Sequence, residues 1–363
     1  MDEGMEQLAF TRDGILKKNR IKGTLLLVLL FILILVSFFA LVVGPSSLSI
    51  GDSLSALFGV GENTDIRIVQ QIRIPRILSG ILAGASLSLA GLILQTTLGN
   101  IMASPSTLGV TNAAVFGANL SILVLSGGMM QTGNNVNNMI ASVNPYLAST
   151  FAFLFSFLSI LLILGLSAFR KYSPSVVVLS GLAIGAIWTG LTTLLQFFST
   201  DVGLSAAVVW SFGDLGRATY SDCILLGAVL LISAVFFFLF RHRYNALLAG
   251  ENYAKTLGVK IGALRFISLL LSSILVATSV SRIGLIGFIG IICPHAMRKI
   301  LGHDHTYLIP SSILSGSVLL LFADTLARAF SGGSSIPVGA VTALIGAPFF
   351  LYLIFAKKEG SNV

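Results

Sequence analysis

The sequence predicts an all-α polytopic membrane protein with about ten transmembrane helices, and three observations carry that prediction. Apolar residues make up 55% of the chain and charged residues 10%, with a mean hydropathy of +0.95, whereas soluble domains carry about 25% charge. From Ile77 to Phe169, 93 residues pass without one Asp, Glu, Lys, Arg or His. Because roughly 20 apolar helical residues cross a bilayer core, this run holds several spans. Finally, Thr24 to Val43 is solidly aliphatic and aromatic, without the alternation of a barrel strand. Lipid offers no partner to an open backbone, so spans are helices or closed barrels, and the pattern selects helices.

The first span is placed at 23–43, after a cytoplasmic tail, 1–22. The basic stretch before it would suit a signal peptide, but the apolar run is long for one and no small-residue cleavage site follows, so it reads as a retained helix. Polar dividers at Asn100–Thr107 and Gly127–Asn144 separate spans at 75–97, 107–126 and 146–168. Spans at 174–199 and 221–240 follow. After a polar island, Arg241–Arg265, come spans at 263–282, 288–301, 306–329 and 338–356, then a tail, 357–363. An even number of spans puts both termini on one side. With the first helix running outward, 16 of the 22 Lys and Arg fall in cytoplasmic segments, as the positive-inside rule requires. That distribution also explains the net charge of +8 without nucleic acid. No spacer of soluble-domain size interrupts 23–356, which reads as one membrane domain.

Two segments break the helical pattern. Only 15 residues separate Arg282 from Arg298, and they include Gly284, Gly287, Gly290 and Pro294, which implies a short or discontinuous helix. Gly99 to Pro105 interrupts the uncharged run comparably. Paired Gly/Pro-interrupted segments in two halves point to a transport pathway. Gly80-x-x-x-Gly84 and Gly181-x-x-x-Gly185 have the spacing that lets helix backbones approach closely in lipid.

No phosphate-binding loop, zinc-protease motif or nucleophile elbow is present, so the chain reads as a non-enzyme whose energy source lies elsewhere. Asp324 is the clear acidic residue inside a span, and Arg328 at i+4 makes it an ion pair rather than a proton relay. His295, His303 and His305 read as helix-end and loop hydrogen-bonding groups, and Cys223 and Cys293 as buried thiols. Arg73, Arg76 and Arg328 fall on the outward side. Their guanidinium forks suit a partner's carboxylates, and snorkelling to headgroups is the alternative. The island itself contains Leu248-Ala-Gly-Glu-Asn-Tyr-Ala-Lys-Thr-Leu-Gly258, helical in spacing and without a catalytic set, which suits a surface gripped by another protein.

The chain resembles the permease subunits of binding-protein-dependent ABC importers for iron-siderophores, haem and vitamin B12, the ten-helix FecCD-type (type II) fold. The matching segments are Ile72-Arg-Ile-Pro-Arg-Ile77, Gly91-Leu-Ile-Leu-Gln95, Leu108-Gly-Val110, Gly250-Glu-x-x-Ala-x-x-Leu-Gly258, Ile286-Gly-Phe-Ile-Gly-Ile-Ile-Cys-Pro-His295, Asp304-His305, Leu321-Phe-Ala-Asp-Thr-Leu-Ala-Arg328 and Pro337-Val-Gly-Ala-Val-Thr-Ala-Leu-Ile-Gly-Ala-Pro348. The resemblance implies that Gly250, Glu251, Ala254, Leu257 and Gly258 couple to ATPase subunits, that Arg73, Arg76 and Arg328 meet an extracytoplasmic binding protein, and that Asn100, Met102 and Ser175 narrow the pathway. It further implies a second permease copy or paralogue, a prokaryotic plasma membrane, a metal-chelate cargo and no cofactor. An ion-coupled secondary transporter is the competing reading. Asn100-Ile-Met-Ala-Ser-Pro105 departs from the family's usual Asn-Pro-Leu-Ala-Asp/Glu-Pro. Arg282 stands where a small or aliphatic residue is common, facing an anionic substrate or the outer headgroups. The Asn/Gly-rich loop 127–144 is longer than usual.

Overall fold

A computed structural model describes residues 2–44, 48–104, 108–126, 144–330 and 336–355. Pro105, most of the 127–144 loop and the 357–363 tail lie outside the described residues. Helices run at α1 (Asp2–Val42), α2 (Ile50–Leu57), α3 (Asn63–Arg67), α4 (Ile74–Leu98), α5 (Val110–Asn119), α6 (Pro145–Ala168), α7 (Pro174–Phe197), α8 (Asp201–Ser211), α9 (Tyr220–Leu239), α10 (Arg241–Leu248), α11 (Glu251–Thr256), α12 (Ile261–Ile283), α13 (Ile289–Leu301), α14 (His305–Phe330) and α15 (Val338–Phe355). Among the described residues, seven helical stretches are long and apolar enough to cross a membrane; those at Val110–Leu125, Asp201–Ser211 and Val338–Tyr352 are shorter.

Each predicted span has its helix, and the departures have local causes. The residues of the expected N-terminal tail are helical from Asp2 onward and continuous with the first span. The second span was expected to start at Pro75, which has no N–H to give. Instead α3 runs into α4 through a π-turn, Ile68–Arg73, in which Ile74 N–H donates to Val69 O. This wider turn carries the helix past the proline. Between α12 and α13 the predicted interruption is present. The chain leaves the helix at Gly284 (φ +80°) and re-enters it after Phe288 (φ +67°).

α4 is the axis of the bundle, buried along most of its length, with α14, α12, α13 and α9 packed around it. Its small residues permit this, because helices associate in lipid by close packing rather than by the hydrophobic effect. At Gly84 an added Cβ would lie 2.3 Å from Gly316 O of α14, and at Gly91 one would lie 1.9 Å from Gly290 O of α13. The second small-residue stripe is also used: Gly109 (φ +69°) seats its backbone between Gly181 and Gly185 of α7.

At one end of the bundle, three non-helical segments interlock through main-chain bonds. Leu285 N–H donates to Ser211 O (3.2 Å), Asp214 N–H to Ile283 O (2.8 Å), and Val338 N–H to Gly213 O (2.9 Å). Two of the backbone groups freed at the α12–α13 break, Ile283 O and Leu285 N–H, are thereby satisfied within the protein, as irregular structure at a membrane demands.

Candidate functional site

The polar island folds as two short helices, α10 and α11, joined at Gly250 (φ +122°) and closed by Gly258 (φ +76°). Both glycines adopt backbone that side chains disfavour, which ends each helix sharply. Tyr244, Ala246, Leu247 and Ala254 are buried against the bundle, whereas Leu248, Tyr253 and Leu257 are exposed. Ala254, expected among the coupling residues, therefore seats the element rather than presenting it. The Tyr244 hydroxyl bonds Ser268 at 2.8 Å. Its pKa is pushed above the ordinary range by burial, against the opposing effects of that hydrogen bond and of Arg243.

Two polar clamps fasten this element to the membrane helices. In the first, Glu251 Oε1 accepts from Arg265 Nη2 at 2.6 Å, and Arg265 Nε donates to Thr97 O at 3.0 Å. In the second, Asn245 Nδ2 donates to Asp304 Oδ1 at 2.8 Å. Asn245 Oδ1 accepts from His305 N–H at 2.9 Å, and its contact with His305 Nδ1 is 2.8 Å. The far ring nitrogen, Nε2, lies 3.0 Å from Thr96 Oγ1. Burial alone would raise the Asp304 pKa. The Thr306 amide and hydroxyl, the Asn245 amide and Lys22 outweigh burial together and hold it below the usual carboxylate range. His305 thus serves the hydrogen-bonding role read from the sequence. Its partners could not be found there, because Asn245 and Thr96 lie 60 and 209 positions away.

Both clamps end on the last turn of α4, whose termination is a Schellman turn. Gly99 (φ +59°) is its left-handed residue, with Asn100 N–H donating to Gln95 O (3.1 Å) and Gly99 N–H to Thr96 O (3.4 Å). Beyond that turn lie the predicted gate residues. Asn100 is exposed and its Oδ1 accepts from Met102 N–H at 2.9 Å; Met102 is exposed beside it. Ser175 is exposed in the first turn of α7. Tyr172 packs edge-on against Phe266, which places the α6–α7 turn at this same end of the bundle.

At the opposite end stand the predicted docking arginines, and their side chains point inward. Arg73 donates to Leu41 O, to Val42 O (3.2 Å) and to Ser53 Oγ (3.3 Å). Arg328 donates to Ala40 O (2.9 Å) and Val43 O. Together they cap the C-terminal carbonyls of α1, which lack helical partners and form the negative end of its dipole. Both arginines are under 10% exposed. Arg76 grips Asp324 with Nε (3.0 Å) and Nη2 (2.8 Å), while Arg328 Nε takes the other oxygen at 3.0 Å. The sequence showed the Asp324–Arg328 pair but not Arg76, 248 positions away. The fully buried Asp324 carboxylate is thus shared between two guanidiniums from different helices.

Arg282 pairs with Asp222 at 3.1 Å, in the capping box that starts α9. With Arg217, Tyr146 and Trp210 this pair lines a half-open cavity of about 550 Å³. His295 packs edge-on against Phe350. Cys223 and Cys293 are free and buried. Among the described residues, no cluster of three His, Cys, Asp or Glu side chains is placed to hold a metal.

Comparison with known proteins matches residues 30–356 to the FecCD transport family. An ABC transporter permease protein of Methanocaldococcus jannaschii is 42% identical, over 93% of this chain and 95% of that protein. The Fe(3+)-citrate import system permease YfmE of Bacillus subtilis is 34% identical, over 91% and 94%. Among solved structures, an inward-facing conformation of a metal-chelate type ABC transporter superimposes with a TM-score of 0.77 at 29% identity, covering 93% of this chain and 100% of that one.

Proposed function

The chain belongs to the FecCD transport family, and from that premise we propose that it is the membrane-crossing subunit of an ATP-driven importer of an iron-siderophore or related metal chelate. The observation that carries the proposal is the α10–α11 element. It is a compact polar pair of helices with exposed Tyr253 and Leu257, set between two spans in a chain that lacks a phosphate-binding loop of its own. ABC ATPase subunits grip this element, with Glu251, Leu257 and the two bounding glycines at the contact. Closure of the ATPases around nucleotide moves the element as a body, and the turn bearing Asn100 and Met102 opens against Ser175.

Both termini lie in the cytoplasm of a prokaryotic cell, and a second copy or paralogue completes a two-fold pathway. The extracytoplasmic binding protein docks at the end of the bundle marked by Arg73, Arg76 and Arg328. Arg76, with a side chain 15% exposed, is the arginine of the three that offers part of itself to a carboxylate. Arg73 and Arg328 shape the surface by holding the end of α1. The Fe(3+)-citrate permease among the relatives supports iron as cargo. Ion-coupled carriage, the competing reading, would draw on Asp324, which is instead engaged by two guanidinium partners.

The test is uptake into proteoliposomes that contain the permease, its ATPase and its binding protein, with ferric siderophores, haem and cobalamin compared. Accumulation of one chelate class that requires internal ATP is expected. Accumulation driven by a proton gradient without ATP would overturn the proposal. A point variant tests the contact itself. Leu257→Asp places a charge on an exposed apolar side chain, and is expected to weaken ATPase copurification about tenfold, the scale of one lost interface anchor, while membrane insertion is unchanged. Full copurification of that variant would remove Leu257 from the contact.

A further inference from the structure

We propose that Arg265 is the positioning residue that carries movement of the α10–α11 element to the gate turn after α4. The inference rests on the coupling and gate assignments proposed above. Arg265 sits in the second turn of α12, its side chain 7% exposed, and its guanidinium reaches two other elements at once. Nη2 meets Glu251, the first residue of α11, at 2.6 Å, and Nε meets the main-chain oxygen of Thr97 at 3.0 Å.

That oxygen is a particular one. The Schellman turn at the end of α4 uses the amides of Gly99 and Asn100 on the carbonyls of Thr96 and Gln95, so those two are satisfied locally and Thr97 O is bypassed. Arg265 takes the bypassed carbonyl from outside the helix, with a cation at the negative end of the dipole. Three residues further on is Asn100, which organises the turn by accepting from Met102 N–H. A displacement of Glu251 therefore pulls, through one rigid planar group, on the last turn before the gate. A planar fork transmits direction in a way that a flexible ammonium does not.

The neighbouring positions on α4 are tied elsewhere. Gln95 accepts from Arg298 of α13 and donates to Gly290 O, and Thr96 meets His305 of α14. Three consecutive residues thus gather α13, α14 and α12; the link through His305 continues to Asn245 of α10, and the link through Arg265 continues to Glu251 at the start of α11.

The test uses the assembled complex with a Met102→Cys reporter, labelled by a thiol reagent with and without ATP. In the otherwise native chain, labelling is expected to change with ATP; in Arg265→Lys the ATPase is expected to stay bound and hydrolyse while the labelling change disappears and chelate moved per ATP falls about tenfold, a coupling of ordinary size. An ATP-dependent change in Arg265→Lys equal to that of the parent would overturn the inference and leave the importer reading standing. No ATP-dependent change in the parent would sink the gate assignment and this inference with it. Should Arg265→Lys fail to assemble, Glu251→Gln takes its place, since it loosens the charged link and leaves the Thr97 bond intact. A labelling response reduced while the ATPase stays bound and hydrolyses supports the inference; an unaltered response, or one lost only together with the ATPase, overturns it.

Discussion

Asp324→Ala is expected to unfold the end of the bundle that holds Arg73, Arg76 and Arg328 and to lower thermal stability sharply. The Asp324 side chain is fully buried and accepts from Arg76 and Arg328 together. Removing it leaves two guanidiniums facing each other without their anion, and breaking a buried pair costs about 3–5 kcal/mol because the surviving charge is stranded. The damage extends to α1, since Arg328 also holds the carbonyls of Ala40 and Val43. The measurement is the unfolding temperature of the purified protein in detergent, together with protease access to the 48–62 segment. Asp324→Asn keeps the shape but surrenders the charge, and should fall between the parent and the alanine variant. Parent-like stability of Asp324→Ala would refute a structural role for the Arg76–Asp324–Arg328 cluster. Should Asp324→Asn instead be stable and lose only uphill transport, the proton-relay reading would regain its ground. The same geometry predicts that replacing Arg73, Arg76 and Arg328 together by Glu destroys α1 anchoring as well as the proposed docking of a binding protein. A docking experiment at this end is therefore better made with Arg76→Gln alone.

Gly91→Val is expected to prevent assembly of the bundle altogether. An added Cβ would stand 1.9 Å from Gly290 O and 2.5 Å from two further backbone atoms of the same residue. Main chain on both sides leaves no flexible side chain to give way, so α4 and α13 must separate. Overpacking against side chains costs about 1–3 kcal/mol; here separation also breaks the Gln95–Gly290 hydrogen bond of 3.0 Å. The expected result is loss of monodisperse protein after extraction from the membrane. Gly165→Ala is the control, because nothing lies within 4 Å of its added Cβ. A helical glycine of that kind should be neutral or gain about 0.5–1 kcal/mol. A well-behaved Gly91→Val protein would show that the close crossing is not required.

Much of the fold was legible from local features. Each predicted span coincides with a helix, because hydropathy is a sum over neighbouring residues and needs no tertiary knowledge. The break between Arg282 and Arg298 was visible in its glycines, and the island in its polarity. Element starts were less secure. The span expected at 75–97 is the end of a longer helix, which the π-turn at Ile68–Arg73 carries past Pro75. The helix Asp201–Ser211 escaped notice for its length, too short to register as a span.

The candidate sites divide in the same manner. Glu251 stood out as an acidic residue opening a Gly-bounded helix, but its pairing with Arg265 and the route on to Thr97 involve partners 14 and 168 positions apart. Arg282 was left between a substrate and the headgroups, and the structure gives it Asp222. The sequence offers Arg73, Arg76 and Arg328 to a partner's carboxylates or to the headgroups, and it shows Arg328 one turn from Asp324. Only the fold adds Arg76 to that pair and sets the carbonyls at the end of α1 against Arg73 and Arg328.

By itself, then, the amino-acid sequence determined that this protein is a bundle of membrane helices with small-residue crossings and one polar segment set between two spans. Those properties follow from composition and periodicity, which act over one or two helical turns. The tertiary structure alone decided which charges neutralise which, which carbonyls the arginines cap, and that three neighbouring residues of α4 tie together α12, α13 and α14. In a low-dielectric interior every charge and freed backbone group must find a partner in space, and chain separation says nothing about which partner the packing of helices will supply.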